Sequence, residues 1–181
     1  GHSVTVAGAI GLQDQGKIMM KLLLIGWIIT LPAFANPLSN LSVVGQSQMH
    51  WLFWKVYDIT LLSSTGQYQD NDYPVALSIQ YARDIEASML VESTLSEWRR
   101  LDVEWKPEWQ QQLLEIWPSV KPGDELMLLV GSPGNSQFFH NGELIGEIND
   151  ADFAPAFLAI WLSSNTREPQ IRRQLLGEFD A

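Results

Sequence analysis

The sequence predicts a single α+β domain in which an antiparallel sheet carries helices on one face. Three observations lead there. Several segments are rich in β-branched and aromatic residues or alternate apolar with polar, and short turns join most of them, as antiparallel neighbours allow. Two segments with helical periodicity lie together between the third and fourth strands. The order is therefore strands, a helix pair, strands and closing helices, which segregates the helices rather than alternating them with strands. The 181 residues suit one domain with a core of ordinary size.

The elements follow in order. Segment 41–62 ("LSVVGQSQMHWLFWKVYDITLL") reads as one short and one long strand with an irregularity at Gly45. On the long strand Trp51, Phe53, Tyr57, Ile59 and Leu61 share one face, and Leu52, Trp54, Val56 and Leu62 share the other. Apolar residues on both faces imply a strand covered on both sides for part of its length. "STGQYQDNDYP" is a turn-rich connection. In "VALSIQYAR", Val75, Leu77, Ile79 and Tyr81 face one way.

Asp84 is placed to cap a helix whose apolar stripe runs through Ala87, Leu90, Val91, Leu95, Trp98 and Leu101. Pro107 opens a second helix with Trp109, Leu113, Ile116 and Trp117 on its stripe. "KPGD" is a turn, "ELMLLVG" a strand, and "SPGN" turns the chain back. Asn141-Gly142 marks the next hairpin, because both central positions of such a turn need positive φ. Pro155 is tolerated only in a first helical turn, so the following helix starts near Asp152 and buries Phe153, Phe157, Ile160 and Trp161. "PQIRRQLLG" is a last short helix that stops at Gly177.

Composition narrows the function classes. The formal net charge is −10, so the surface repels phosphate backbones and anionic head groups, and nucleic acid is not an expected partner. There is no cysteine, which removes disulfide and thiolate chemistry without fixing the compartment. Eight tryptophans is a high count, read as mostly core, with pocket lining as the alternative.

Residues 20–35 ("MKLLLIGWIITLPAFA") carry a lysine, an apolar run from Leu22 to Leu31 and the small-x-small pattern Ala33-Phe34-Ala35. This is the layout of a cleavable signal peptide, with an uncleaved anchor or a buried helix as alternatives. The run is short for a span of about 20 residues. Residues 1–19 read as an upstream extension, 20–35 as the signal peptide and 36–181 as the domain. Removing 1–35 takes away Lys17, Lys21 and Asp14, which leaves 9 basic and 20 acidic residues, a charge near −11. With no second apolar span, the expected mature protein is periplasmic and has no stable membrane span.

Four stretches together, "LFWKVYDITLL", "YARDI", "VKPGDELMLLV" and "FFHNGELIGEINDADFAPAFLAIWL", resemble the bacterial branch of the chalcone isomerase-like family. The resemblance covers roughly 41–177. It implies an open-faced β-sandwich, a curved antiparallel sheet packed on a layer of helices. Plant members of the family include an isomerase that closes a flavonoid ring; other members bind fatty acids. The isomerases use an arginine on the strand before the "KVY"-like residues, a threonine just after that lysine and a tyrosine after the "RDI"-like segment. Here Gln46, Ser47 and Gln48 occupy the first region, Val56 stands at the threonine, and no tyrosine follows Asp84. Isomerase chemistry needs a cation near a phenolate and a donor near a developing oxyanion, so no catalytic residue is assigned.

The family cleft lies between sheet and helices. The resemblance implies Phe53, Tyr57, Ile79, Tyr81, Phe157 and Trp161 as its walls and Arg83 at its mouth. Arg83 reads either as a two-donor clamp for a ligand carboxylate or as a structural partner of Asp84 or Glu86, and pairing is the favoured reading. His50 and His140 have no spacing that would complete a zinc site, "GxSxG" is absent, and "GSPGN" lacks the lysine and helix of a phosphate loop. Glu143 and Glu147 are expected to face water. No metal and no cofactor are expected. The oligomeric state is left open. Three readings stand. The favoured one is a non-catalytic exported module holding a fatty acid or other apolar ligand. The others are an isomerase or lyase with a rearranged site, and a protein-binding accessory module without a small ligand.

Overall fold

Asn141 and Gly142 take φ of 50° and 84°. They reverse the chain between β5 (Asn135–His140) and β6 (Glu143–Ile148), as the Asn-Gly pair predicts. In the computed structural model the described residues are 38–178. The expected extension at 1–19 and signal peptide at 20–35 lie outside them. The remaining elements are β1 (Ser42–Trp51), β2 (Trp54–Ser63), β3 (Val75–Tyr81), α1 (Ala87–Arg100), α2 (Pro107–Ile116), β4 (Glu125–Ser132), α3 (Phe153–Leu162) and α4 (Pro169–Leu175). The six strands pair antiparallel in sequence order, from β1 at one edge to β6 at the other. This is the expected α+β architecture, a curved open sheet with its helices packed against it.

Period-two alternation decides which face the helices cover. Val75, Leu77, Ile79 and Tyr81 join Ile59, Leu61, Leu126, Leu128 and Phe138 in the main core under the helices. The residues between them point away: Ala76, Met127, Leu129 and Phe139 form a smaller apolar cluster on the other face. The helical stripes meet the sheet as expected, with Leu90, Val91, Leu95 and Trp98 of α1 and Trp109 and Leu113 of α2 buried. α3 is buried nearly all round, beyond the four residues its sequence singled out. Its core is a chain of ring contacts, Trp98–Trp109, Trp109–Phe153, Phe138–Phe157 and Phe157–Trp161, with centroids 5.4–5.9 Å apart and mostly edge to face.

Gly45 explains the irregularity of β1. A Cβ there would run into the backbone carbonyls of Gln174 and Leu175, so glycine lets α4 lie directly on the strand. Ser47 seals the same contact by donating to Gln174 Oε1 at 2.5 Å.

Two expectations need correction. Segment 41–62 is not a short strand followed by a long one. It is a hairpin of two ten-residue strands, with Trp51 paired to Trp54 across Leu52 and Phe53. Leu52 takes φ 56°, a conformation that a bulky residue rarely adopts, and no Gly, Asn or Pro announces the turn. Asp84, moreover, does not cap α1. Ile85 is held in a β-bridge to Val120, so the helix begins later, and Ser119 from the distant loop accepts the Ala87 N–H at 3.1 Å.

Candidate functional site: a cavity between sheet and helices

Between the core face of the sheet and helices α1 and α3 lies a cavity of about 280 Å³. β2 contributes Tyr57, β3 contributes Leu77, Ile79 and Tyr81, and β4 and β5 contribute Leu126, Leu128 and Phe138. Leu90 and Thr94 of α1 and Phe157, Ile160 and Trp161 of α3 form the opposite wall. The alternation of β3 brings every second side chain to this wall, and the helical spacing of Phe157 and Trp161 puts both on one side of α3.

Of the seven residues expected at the site, five line the cavity: Tyr57, Ile79, Tyr81, Phe157 and Trp161. Phe53 does not. It sits at the tip of the β1–β2 hairpin and is 96% exposed, because the turn carries it off the end of the sheet. Arg83 does not stand at the mouth either. Its guanidinium lies 5.3 Å above the Trp54 ring, on the solvent side. Nor is it the structural pair the sequence favoured, since no carboxylate among the described residues comes within ion-pair distance of it. Glu86 instead accepts from the Ser119 hydroxyl at 2.9 Å.

The cation that does line the cavity is Arg167, with Glu97, Thr166 and Glu168 beside it. Glu97 holds it at 2.9 Å and also takes Arg100 at 2.8 Å, so the rim is a chain of alternating charges. Sequence reasoning missed this group. Arg167 follows the end of α3 in a connection with no motif, and its partner lies on another helix.

Aromatic side chains also bring polar groups to the wall. Trp161 Nε1–H donates to the Tyr57 hydroxyl at 3.0 Å. Tyr81 meets Tyr57 edge to face at 6.1 Å, and its own hydroxyl has no hydrogen-bond partner among the described residues. The indole N–H of Trp117, the residue that ends α2, is buried without an acceptor among the described residues. Burial pushes the Tyr57 phenol up to about 12, with the carboxylates of Glu168 and Glu97 adding to the rise against the Trp161 donor. Burial pushes Tyr81 up as well. Both phenols are therefore neutral donors at physiological pH, unfit as bases and fit to donate a hydrogen bond. Among the described residues no group of His, Asp or Glu is arranged to hold a metal ion, and no helix is long and apolar enough to cross a membrane.

The chalcone isomerase-like family model matches residues 46–177, most of the chain. The chain belongs to the chalcone isomerase-like family. An uncharacterized protein of Haemophilus influenzae is 29% identical over 146 residues, which span 80% of this chain and 72% of that protein. Among solved structures, an Arabidopsis thaliana fatty-acid binding protein superposes with a TM-score of 0.56 at 10% identity, covering 78% of this chain and 92% of that one. At that identity the likeness is one of fold, and within the family it is the site that must indicate function.

Proposed function

We propose that this chalcone isomerase-like domain is an exported, non-catalytic binding module whose cavity takes a fatty acid or a similar apolar chain with one polar end. The observation that carries this reading is the cavity itself: an apolar space between sheet and helices, with two neutral phenols in its wall. The Tyr81 hydroxyl, a neutral donor with no partner among the described residues, is the group in that wall to which a ligand oxygen would bond. About ten buried methylenes would contribute roughly 8 kcal/mol before the costs of association, which supports micromolar affinity. The fatty-acid binding of the structural neighbour supports the same ligand class. Export is supported by the signal-peptide layout at 20–35.

The absence of isomerase catalysis is supported by the residues at the expected positions. Gln46 and Gln48 are exposed on β1, Ser47 is engaged with Gln174, and Val56 offers no hydroxyl. Among the described residues no cation acts on the hydroxyls of Tyr57 or Tyr81, and the charged groups that act on Tyr57 are the carboxylates of Glu168 and Glu97.

Calorimetry with dodecanoic acid and 1-dodecanol tests the reading. Both should bind with micromolar affinity, and Ile79→Trp, which fills the floor of the cavity, should abolish both. Absence of binding by the parent chain would transfer the proposal to a protein partner. A chalcone consumed faster than in buffer would restore the isomerase reading.

A further inference from the structure

The β1–β2 hairpin ends in four consecutive large apolar residues that stay mostly exposed, with only Arg83 lying over the Trp54 ring among the described residues. Trp51 is 67% exposed, Leu52 73%, Phe53 96% and Trp54 61%. Isolated exposed apolar side chains are ordinary in proteins, whereas a run of four on one projecting turn is not. We propose that this tip docks the domain onto a zwitterionic phospholipid surface.

The composition of the tip fits a bilayer interface. Leu52 and Phe53, at the apex, carry no polar atom in their side chains and suit the acyl boundary. Trp51 and Trp54, paired one step behind them, carry an indole N–H and suit the head-group level, where tryptophan concentrates in membrane proteins. Behind Trp54 stands Arg83, exposed and free of any carboxylate among the described residues. Its planar fork matches a phosphate. The net charge of −10 disfavours a strongly anionic membrane, which selects zwitterionic lipid.

The size of the patch argues against a second copy. With aromatic side chains presenting about 150–250 Å² each, the tip offers on the order of 600 Å², below the roughly 800 Å² that each partner of a standard interface buries. A narrow convex finger suits a soft medium better than a rigid, flat one. The same hairpin also reaches the cavity: Met49 and Val56, a few residues behind the tip on its two strands, are among the cavity-lining residues. A tip seated in lipid would hold that wall beside a source of apolar chains.

Flotation with phosphatidylcholine vesicles tests the proposal, using both the full chain and residues 36–181, which contain every described element and both apolar clusters. Both forms should float, and tryptophan emission should shift to shorter wavelength. Leu52→Ser/Phe53→Ser should reduce vesicle binding at least tenfold with unchanged circular dichroism, while dodecanoic acid binding by the cavity persists. Failure to float, floating that survives the double substitution, or floating by the full chain alone would overturn the proposal. So would a dimer in analytical ultracentrifugation that the same substitution dissolves.

Discussion

Trp161 of α3 donates its indole N–H to the hydroxyl of Tyr57 on β2 at 3.0 Å, tying the helical layer to the sheet at the side of the cavity. The bond is part-buried and joins elements far apart in the chain. It places the Tyr57 hydroxyl at the wall, with its own proton still available.

A double-mutant cycle should resolve this tie. Tyr57→Phe and Trp161→Phe each remove one partner, and each should lower the stability measured by urea unfolding. The coupling between them should fall at about 0.5–1.5 kcal/mol, the range of a neutral hydrogen bond. A coupling near zero would assign both residues to packing alone.

Gly45→Ala should be far more damaging than Gly142→Ala in its effect on α4. The added methyl at 45 meets backbone, including the Leu175 carbonyl oxygen at 2.5 Å, which cannot yield as a side chain would. Overpacking of this kind costs roughly 1–3 kcal/mol or more. At 142 the space is open and only the positive φ resists, so the hairpin should be weakened with α4 undisturbed. Amide exchange in Pro169–Leu175 should accelerate for the first variant and stay unchanged for the second.

Acid should destabilise the domain through Asp124. The Asn141 side-chain donor, the Lys121 backbone N–H and then His140 hold its carboxyl below the usual value, against the effect of burial. A depressed folded-state pKa means that the stabilisation is complete above the unfolded aspartate value, about 3.9, and is lost as pH falls through the folded value. Asp150, lowered first by Lys106, adds to the same limb. Urea midpoints measured from pH 6 to pH 2 should fall below about pH 4, and Asp124→Asn should start lower and fall less steeply. Parallel curves would remove Asp124 from the account.

Arg167, not Arg83, should matter to an anionic ligand. Arg83→Ala should leave dodecanoic acid binding unchanged, since its guanidinium lies over Trp54 outside the cavity. Arg167→Ala leaves Glu97 and Glu168 at the rim with one cation fewer. It should weaken the acid about two- to fivefold, within the range of about 0.4–1 kcal/mol for an exposed pair, and hardly change 1-dodecanol. Equal weakening of acid and alcohol would make Arg167 a scaffold residue.

Much of the architecture was determined by the sequence itself. Alternation through Val75–Tyr81, the stripes of α1 and α2, Pro155 in a first turn and the Asn141-Gly142 pair are local signals, because side-chain periodicity and backbone preference act within a few residues. They suffice for the antiparallel sheet with its helices packed on it, and the family resemblance added five wall residues that do line the cavity. Tertiary structure decided the rest. Leu52 turns with positive φ because two strands must pair around it, and that turn sends Phe53 into solvent and leaves Arg83 on Trp54. Ser119 caps α1 because the Ile85–Val120 bridge brings it there. Arg167 lines the cavity because Glu97 and Arg100 stand on the neighbouring helix. Periodicity reports which side of an element is apolar. Which distant group meets that side depends on the path of the whole chain, and in this protein that path sets the charged rim, the unpartnered Trp117 N–H and the exposed hairpin tip.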